Sequence, residues 1–196
     1  MKISNAEVFG FKGAIRGMRN PYSSWDKSDS HDEVIGPNDF ELCKKLIKAG
    51  SDHRKFLRMI HVQVDVKAPL YWWKEADTYK VGTVANSCST MHTITSKKFG
   101  FEDFEMGYRD DMLGDIIFDL NTLRKACLEK SEKKVWYEII KLLPSSYLQL
   151  RTLDLNYETL MRMYFARKNH KLTEWHTFCN WIENLPYMKE FLGACR

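Results

Sequence analysis

The chain has 196 residues, 44% of them hydrophobic and 13% aromatic, which is enough to fold and bury a core. Its net charge of +4 is too small to indicate a nucleic-acid partner and is compatible with an anionic small ligand. Charged residues interrupt every apolar run short of the ~20 residues a membrane span needs, and Cys43, Cys88, Cys127, Cys179 and Cys195 show no CxxC spacing, so the expectation is a cytoplasmic protein with reduced thiols, no signal peptide, no metal site and no membrane partner.

Residues 3–18 read as a β-strand or hairpin, with Val8, Phe9 and Phe11 as strand formers and Gly10, Gly13 and Gly17 supplying turns or close approaches. A polar, turn-rich loop over 19–36 follows, and a loop of this length inside a domain is often functional. Pro37-Asn38-Asp39 starts a helix with an apolar face of Phe40, Leu42, Cys43, Leu46 and Ile47, ended by Gly50. Ile60, Val62, Val64 and Val66 alternate with His61, Gln63 and Asp65, the period of a strand. Pro69 closes that strand and opens a short helix carrying Tyr71, Trp72, Trp73 and Glu75. Residues 81–98, rich in Thr and Ser, read as irregular.

From about residue 103 the pattern is helical. Met112, Ile116, Ile117, Leu120 and Leu123 share one face, and Val135, Trp136, Ile139, Ile140 and Leu143 another. Pro144 breaks the pattern, Tyr147 to Asp154 reads as a short strand or extended turn, and helices follow near 156–168 and 171–184 until Pro186. No repeat or linker divides residues 1–196, so the reading is one α+β domain with a mixed or antiparallel sheet and a largely helical C-terminal half.

The segment from Tyr71 to His92 carries the most chemistry. Aromatic residues run into Asn86, Ser87, Cys88, Ser89 and Thr90, small donors and acceptors with little to gain from burial. Cys88 and His92, four residues apart, would meet as thiol and base on a helix; otherwise Cys88 is a small packing residue. His53-Arg54-Lys55 concentrates cationic side chains before the valine-rich strand, either as solvated charge or as a phosphate or flavin-edge site. Arg151, Asn156, Arg167, Asn169, His170 and Glu174 gather before and within a helix starting near Lys171. A helix N-terminus beside Arg and His suits an anion, and the alternative is a structural Arg167–Glu174 ion pair. There is no GxSxG, HExxH, P-loop or GxGxxG.

Several of these segments match one pattern in order. His53-x-x-Phe56 matches a Glu-His-x-x-Phe element leading into a strand, with Asp52 in place of Glu. Asn86 to His92 lines up with the second half of Arg-His-Arg-x-x-Ser-x-Asn-Glu-x-Ser-x-Arg-Tyr. Tyr79-Lys80-Val81 then stands in place of Arg-His-Arg, Ser87 in place of Glu, and Met91 in place of the last Arg. Leu143-Pro144, Tyr147, Asn156, Ala166-Arg167 and Glu174 fall at close to the spacing of the C-terminal elements of the same pattern. In this order the chain resembles the flavin-dependent thymidylate synthases.

The resemblance implies FAD and a pyrimidine deoxynucleotide (dUMP-like) as ligands. It further implies one-carbon transfer to C5, with methylenetetrahydrofolate and NADPH as co-substrates, and a homo-oligomer, a tetramer by resemblance. His53, Asn86, Ser87, Arg167 and His170 would hold the flavin; Lys80, Ser89 and Arg151 would hold the nucleotide. Such enzymes need no protein nucleophile, so no side chain is assigned to catalysis. The competing expectation is a non-catalytic binding protein on the same scaffold, holding a partner through the aromatic surface of residues 71–79. Exposure of Trp72 and Trp73 decides between the two.

Overall fold

The computed structural model describes residues 1–130 and 132–195. In chain order they form β1 (Lys2–Phe9), α1 (Phe11–Met18), α2 (Pro37–Lys48), β2 (His61–Pro69), α3 (Leu70–Ala76), β3 (Thr83–Ser87), α4 (Thr90–Thr93), α5 (Asp110–Lys130), α6 (Lys133–Leu142), β4 (Leu148–Asn156), α7 (Tyr157–Arg167), α8 (Thr173–Glu183) and α9 (Met188–Ala194). Among the described residues the strands make a four-stranded antiparallel sheet in the order β1-β2-β4-β3. The expected α+β class with a helical C-terminal half is what the chain adopts. Contacts divide it into two compact units, each described by itself below.

One unit comprises Ile3–Asp65, Tyr79–Ala85 and Thr152–Arg196. Here the hairpin reading of 3–18 gives way to a strand and a helix. Gly10 ends β1 at φ +99°, and a Cβ there would stand 2.4 Å from the Met59 carbonyl oxygen. Phe11, Ala14 and Ile15 then recur at helical spacing and are buried. Phe11 packs edge-on to Tyr157 (5.6 Å between centroids) and to Tyr187 (5.4 Å). The expected helix after Pro37 is α2, whose Phe40 ring stacks on Phe191 of α9, a helix the sequence pattern left out. Pro186 does stop α8, but two residues later Met188 restarts the helix and buries its own side chain with Phe191 and Leu192.

The alternation of β2 is as expected: Val62 and Val64 are buried, while His61, Gln63 and Asp65 face the other way. On that second face the strands are tied by polar cross-strand pairs. His61 Nδ1 lies 2.8 Å from Asp154 Oδ1, Gln63 Nε2 donates to Asp154 Oδ2 (3.1 Å), and Thr152 Oγ1 donates to Asp65 Oδ1 (2.6 Å). Burial raises the Asp154 carboxyl, but hydrogen bonds with His61 and Gln63 outweigh it and hold the group below the usual carboxylate range.

The other unit comprises Met1–Lys2, Val66–Thr78 and Asn86–Arg151. Its apolar centre is Ile94, Phe99, Phe104, Leu113, Ile117, Leu120 and Ile139, built largely by α5 and α6. The α5 face is turned by about one position from the expected one. Leu113 is buried with Ile117 and Leu120, whereas Met112 and Ile116 are 53% and 38% exposed. Residues 81–98 are not irregular throughout, because β3 and the single turn α4 lie within them.

Candidate functional site

In the unit holding Asn86–Arg151, the candidate residues converge on a buried indole. Trp72 and Trp73 are 1% and 2% exposed and meet edge to face at 4.8 Å. The Arg151 guanidinium carbon sits 4.2 Å from the centre of the Trp73 ring, a cation–π contact in a largely buried setting. Arg151 Nε donates to Gln149 Oε1 (3.0 Å) and Nη1 to Asp77 Oδ1 (2.6 Å). Gln149 Nε2 in turn donates to the Cys88 carbonyl (2.9 Å), and its own carbonyl accepts the Trp73 indole N–H (3.0 Å). The polar segment is thereby linked to Arg151 through one glutamine.

Burial of both tryptophans overturns the aromatic binding surface of residues 71–79: the rings are core, and Trp73 serves as the bed for an arginine. Asn86 and Ser87 end β3 with exposed side chains. Ser89 caps α4, its hydroxyl oxygen accepting the His92 N–H (3.4 Å). Cys88 precedes that cap and is exposed, so it neither shares a helix with His92 nor packs in a core. Beside it lies a cavity of about 360 Å³ lined by Cys88, Thr90, Lys97, Tyr147 and Gln149.

In the unit holding Thr152–Arg196, Arg167 and His170 come together over Trp175. Arg167 Nε donates to the Tyr79 hydroxyl (2.9 Å), and its guanidinium carbon lies 5.6 Å from the Tyr79 ring centre and 5.0 Å from that of Trp175. The His170 ring meets Trp175 edge-on at 6.3 Å, its Nδ1 accepts the Leu172 N–H (3.2 Å), and its carbonyl accepts the His176 ring N–H (2.7 Å). Lys80 follows Tyr79 and is exposed. With Lys168 and Lys171, these residues gather positive charge at the passage from α7 into α8.

The chain segment that brings Tyr79 to this place depends on Gly82. It has φ +74°, and a Cβ there would stand 2.4 Å from Asn156 Nδ2 and 2.8 Å from Thr159 Oγ1. Asn156 caps α7, its Oδ1 accepting the Thr159 N–H (2.9 Å), while Thr159 Oγ1 donates to the Val81 carbonyl (3.0 Å). Gly82→Ala adds left-handed strain and displaces that cap, an expected loss of about 2–3 kcal/mol of stability. Urea denaturation of the variant against wild type measures it.

His53 lies elsewhere in the same unit. It is exposed on the rim of a cavity of about 1040 Å³ whose walls include Met18, Arg19, Leu42, Leu46 and Phe56. Its neighbour Arg54 pairs with Glu158 in the first turn of α7 (2.8 Å), whereas Arg167 belongs to the last turn, roughly 13 Å further along the axis. Within this chain, then, His53 does not share a cluster with Arg167 and His170.

That cavity is shaped by a device absent from the sequence reading. Asp39 in α2 is fully buried; its carboxylate accepts Arg19 Nε (2.6 Å), both hydroxyls of Ser28 (2.6 Å) and Ser30 (2.7 Å), and the backbone N–H of Asp29 (3.1 Å) and Ser30 (3.2 Å). Burial pushes the carboxyl up, yet the bonds from Ser28, Ser30 and Arg19 prevail and hold it below the ordinary value. The polar loop 19–36 is thus closed onto the helix that follows it. The one sequence signal was an acidic residue in the first turn after Pro37, which reads equally well as a simple helix-dipole contact.

Chemically, these arrangements offer groups suited to an anion. They present guanidinium groups, hydroxyls and amides, and among the described residues of these clusters no nucleophile and base are held together. No protein-family model matches the sequence, and no curated protein matches it. Solved structures do share the fold. A structure of the flavin-dependent thymidylate synthase ThyX from Helicobacter pylori complexed with FAD and dUMP is 17% identical, with a TM-score of 0.79 and 100% of both chains covered. A second structure of Helicobacter pylori ThyX with FAD and dUMP is 16% identical, again with a TM-score of 0.79 and 100% of both chains covered. At this identity the likeness establishes the fold.

Proposed function

We propose that residues 1–196 act as one divergent thymidylate synthase-like domain that binds FAD and a dUMP-like pyrimidine deoxynucleotide. The reaction would be transfer of a one-carbon unit to C5, with methylenetetrahydrofolate as donor and NADPH as reductant, in a cytoplasmic homo-oligomer. What carries the reading is the full-length likeness, at a TM-score of 0.79, to a protein crystallised with FAD and dUMP. Two buried-indole arginine seats in this chain support it.

The residues present fit both halves of a flavin dinucleotide. Arg167, Lys168, His170 and Lys171 suit the diphosphate. The cavity beside His53, with apolar Met18, Leu42, Leu46 and Phe56 in its wall, suits an isoalloxazine ring. These places lie at opposite ends of α7, and in the proposed oligomer a second copy of the chain would supply one of them. Asn86 and Ser87 complete the flavin contacts in this reading, and Lys80, Ser89 and Arg151 hold the nucleotide. When bound, the flavin supplies hydride chemistry; the chain's own groups bind, orient and neutralise charge.

Arg151 already donates to Asp77 at 2.6 Å, so a nucleotide phosphate competes with that carboxylate. Lys80 brings a point charge where the family pattern has an arginine fork. Both features point to weaker nucleotide binding than a full set of arginines gives. The test is the visible absorption spectrum of the purified protein, before and after reconstitution with FAD, with thermal shift on adding dUMP. Flavin bands and a raised Tm are expected. A colourless protein that takes up no FAD and shows no shift with dUMP overturns the proposal.

A further inference from the structure

In the unit holding Asn86–Arg151, α5 borders a second cavity of about 600 Å³, a volume ordinary for a small-molecule site. Its walls combine rings and cations. Phe101 and Phe118 are 46% and 70% exposed, although neither ring is part of the apolar centre of the unit. Gly114 forms part of the wall, where a Cβ would reach only the tip of Phe101 at 3.6 Å, so the absence of a side chain keeps this side open.

Lys98, Arg124 and Lys125 supply three positive charges around the same space. Arg124 Nε donates to the Thr95 carbonyl (2.9 Å), which fixes the direction of its guanidinium. Among the described residues Lys125 makes a single long, exposed ionic contact, with Glu129 (3.8 Å), which does little to compensate its charge. Apolar rings next to weakly paired cations attract a planar aromatic body bearing a negative group.

Two polar groups of the wall are held by neighbouring backbone. Asn121 uses both ends of its amide on one residue: Oδ1 accepts the Phe99 N–H (2.9 Å) and Nδ2 donates to the Phe99 carbonyl (3.0 Å). The Thr122 hydroxyl donates to the Phe118 carbonyl (3.0 Å). Both side chains are thus anchored to backbone, each keeping part of its hydrogen-bonding capacity. The rings and the cations are therefore the features of this wall that set its preference.

We propose that this cavity binds small aryl acids, meaning one or two fused rings carrying a carboxylate, sulfonate or phosphate, at a site separate from those of the proposed FAD and dUMP. The probe is 2-naphthoate, titrated into the full-length protein by isothermal calorimetry, with dUMP as competitor. Wild type is expected to bind one equivalent per chain, undisturbed by dUMP. Gly114→Leu, which fills the cavity and replaces a helix glycine by a better helix former, is expected to abolish binding. Lys98→Glu, on an exposed side chain, is expected to weaken it at least tenfold. Wild-type binding absent at millimolar probe, equal binding by wild type and Lys98→Glu, or displacement by dUMP overturns the proposal. Lys98→Glu keeps the test decisive should Gly114→Leu fail to fold. Failure of FAD uptake leaves this result unaffected.

Discussion

Asp39→Ala is expected to lower the free energy of unfolding by about 3–5 kcal/mol, because it leaves the guanidinium of Arg19 buried without its partner. Arg19 and Asp39 are 6% and 0% exposed, so solvent does little to screen the loss. The backbone N–H groups of Asp29 and Ser30 lose their acceptor in the same step. Asp39→Asn keeps the volume and part of the hydrogen bonding and is expected to lose less. The pH dependence has a definite sign. Hydrogen bonds hold the folded carboxyl below its ordinary value, so the folded state binds fewer protons than the unfolded one between the two values. The stabilisation is complete above about pH 4 and declines as the pH falls through the lower, folded value. Denaturation midpoints of wild type and Asp39→Asn should therefore differ widely at pH 7 and converge in strong acid. An equal gap at both pH values would remove the carboxylate from the explanation. Since Arg19 also lines the cavity beside His53, the variant should lose ligand affinity along with stability.

The second large effect concerns Arg167. Arg167→Ala is expected to weaken FAD binding roughly 10- to 150-fold, the range for losing a hydrogen-bonded charged contact of about 1.5–3 kcal/mol. Arg167→Lys restores the charge without the planar fork and should fall between the two. Tyr79→Phe leaves Arg167 in place and removes one hydrogen bond to its Nε, so a loss of only a few-fold is expected. Flavin titration followed by absorbance reads all three, with circular dichroism as the folding control. Wild-type affinity in Arg167→Ala would take Arg167 out of the proposed cofactor site.

Much of the fold was legible wherever burial alone sets the pattern. The Val62, Val64 and Val66 alternation and the Cys43 and Ile47 face of α2 survive intact, because each buries one side of a regular element. Legibility fails where glycine has two meanings. Gly13 and Gly17 read as turns or close approaches; they make no turn but lie within α1, where Gly17 is the close approach, letting the Met59 sulfur come to 3.3 Å of where a Cβ would be. It fails again on α5, where the outward Met112 and Ile116 are as apolar as the inward Leu113 and Ile117. β3 was hidden because its side chains are nearly all exposed and give no alternation.

The candidate site shows the same division. Arg151, Arg167 and His170 were legible as cations in a suggestive order, whereas their partners were not. Nothing local ties Arg151 to Asp77 and Trp73, or Arg167 to Tyr79, since these contacts span long stretches of chain. Asp39 was similarly opaque: its role comes from Arg19, Ser28 and Ser30, which a loop reading treats as interchangeable polar residues.

The two indole seats bear on the entropy of capture. A free arginine samples many rotamers, and a ligand that freezes it must overcome that loss, on the order of 0.5–1.5 kcal/mol for each side chain ordered. Arg151 rests 4.2 Å above Trp73, and Arg167 lies 5.0 Å from the centre of the Trp175 ring. Their freedom is given up during folding, when apolar burial of the two tryptophans easily outweighs it. An anion arriving at either seat would meet a guanidinium that is already oriented, so each of the two arginines is held ready before any ligand comes.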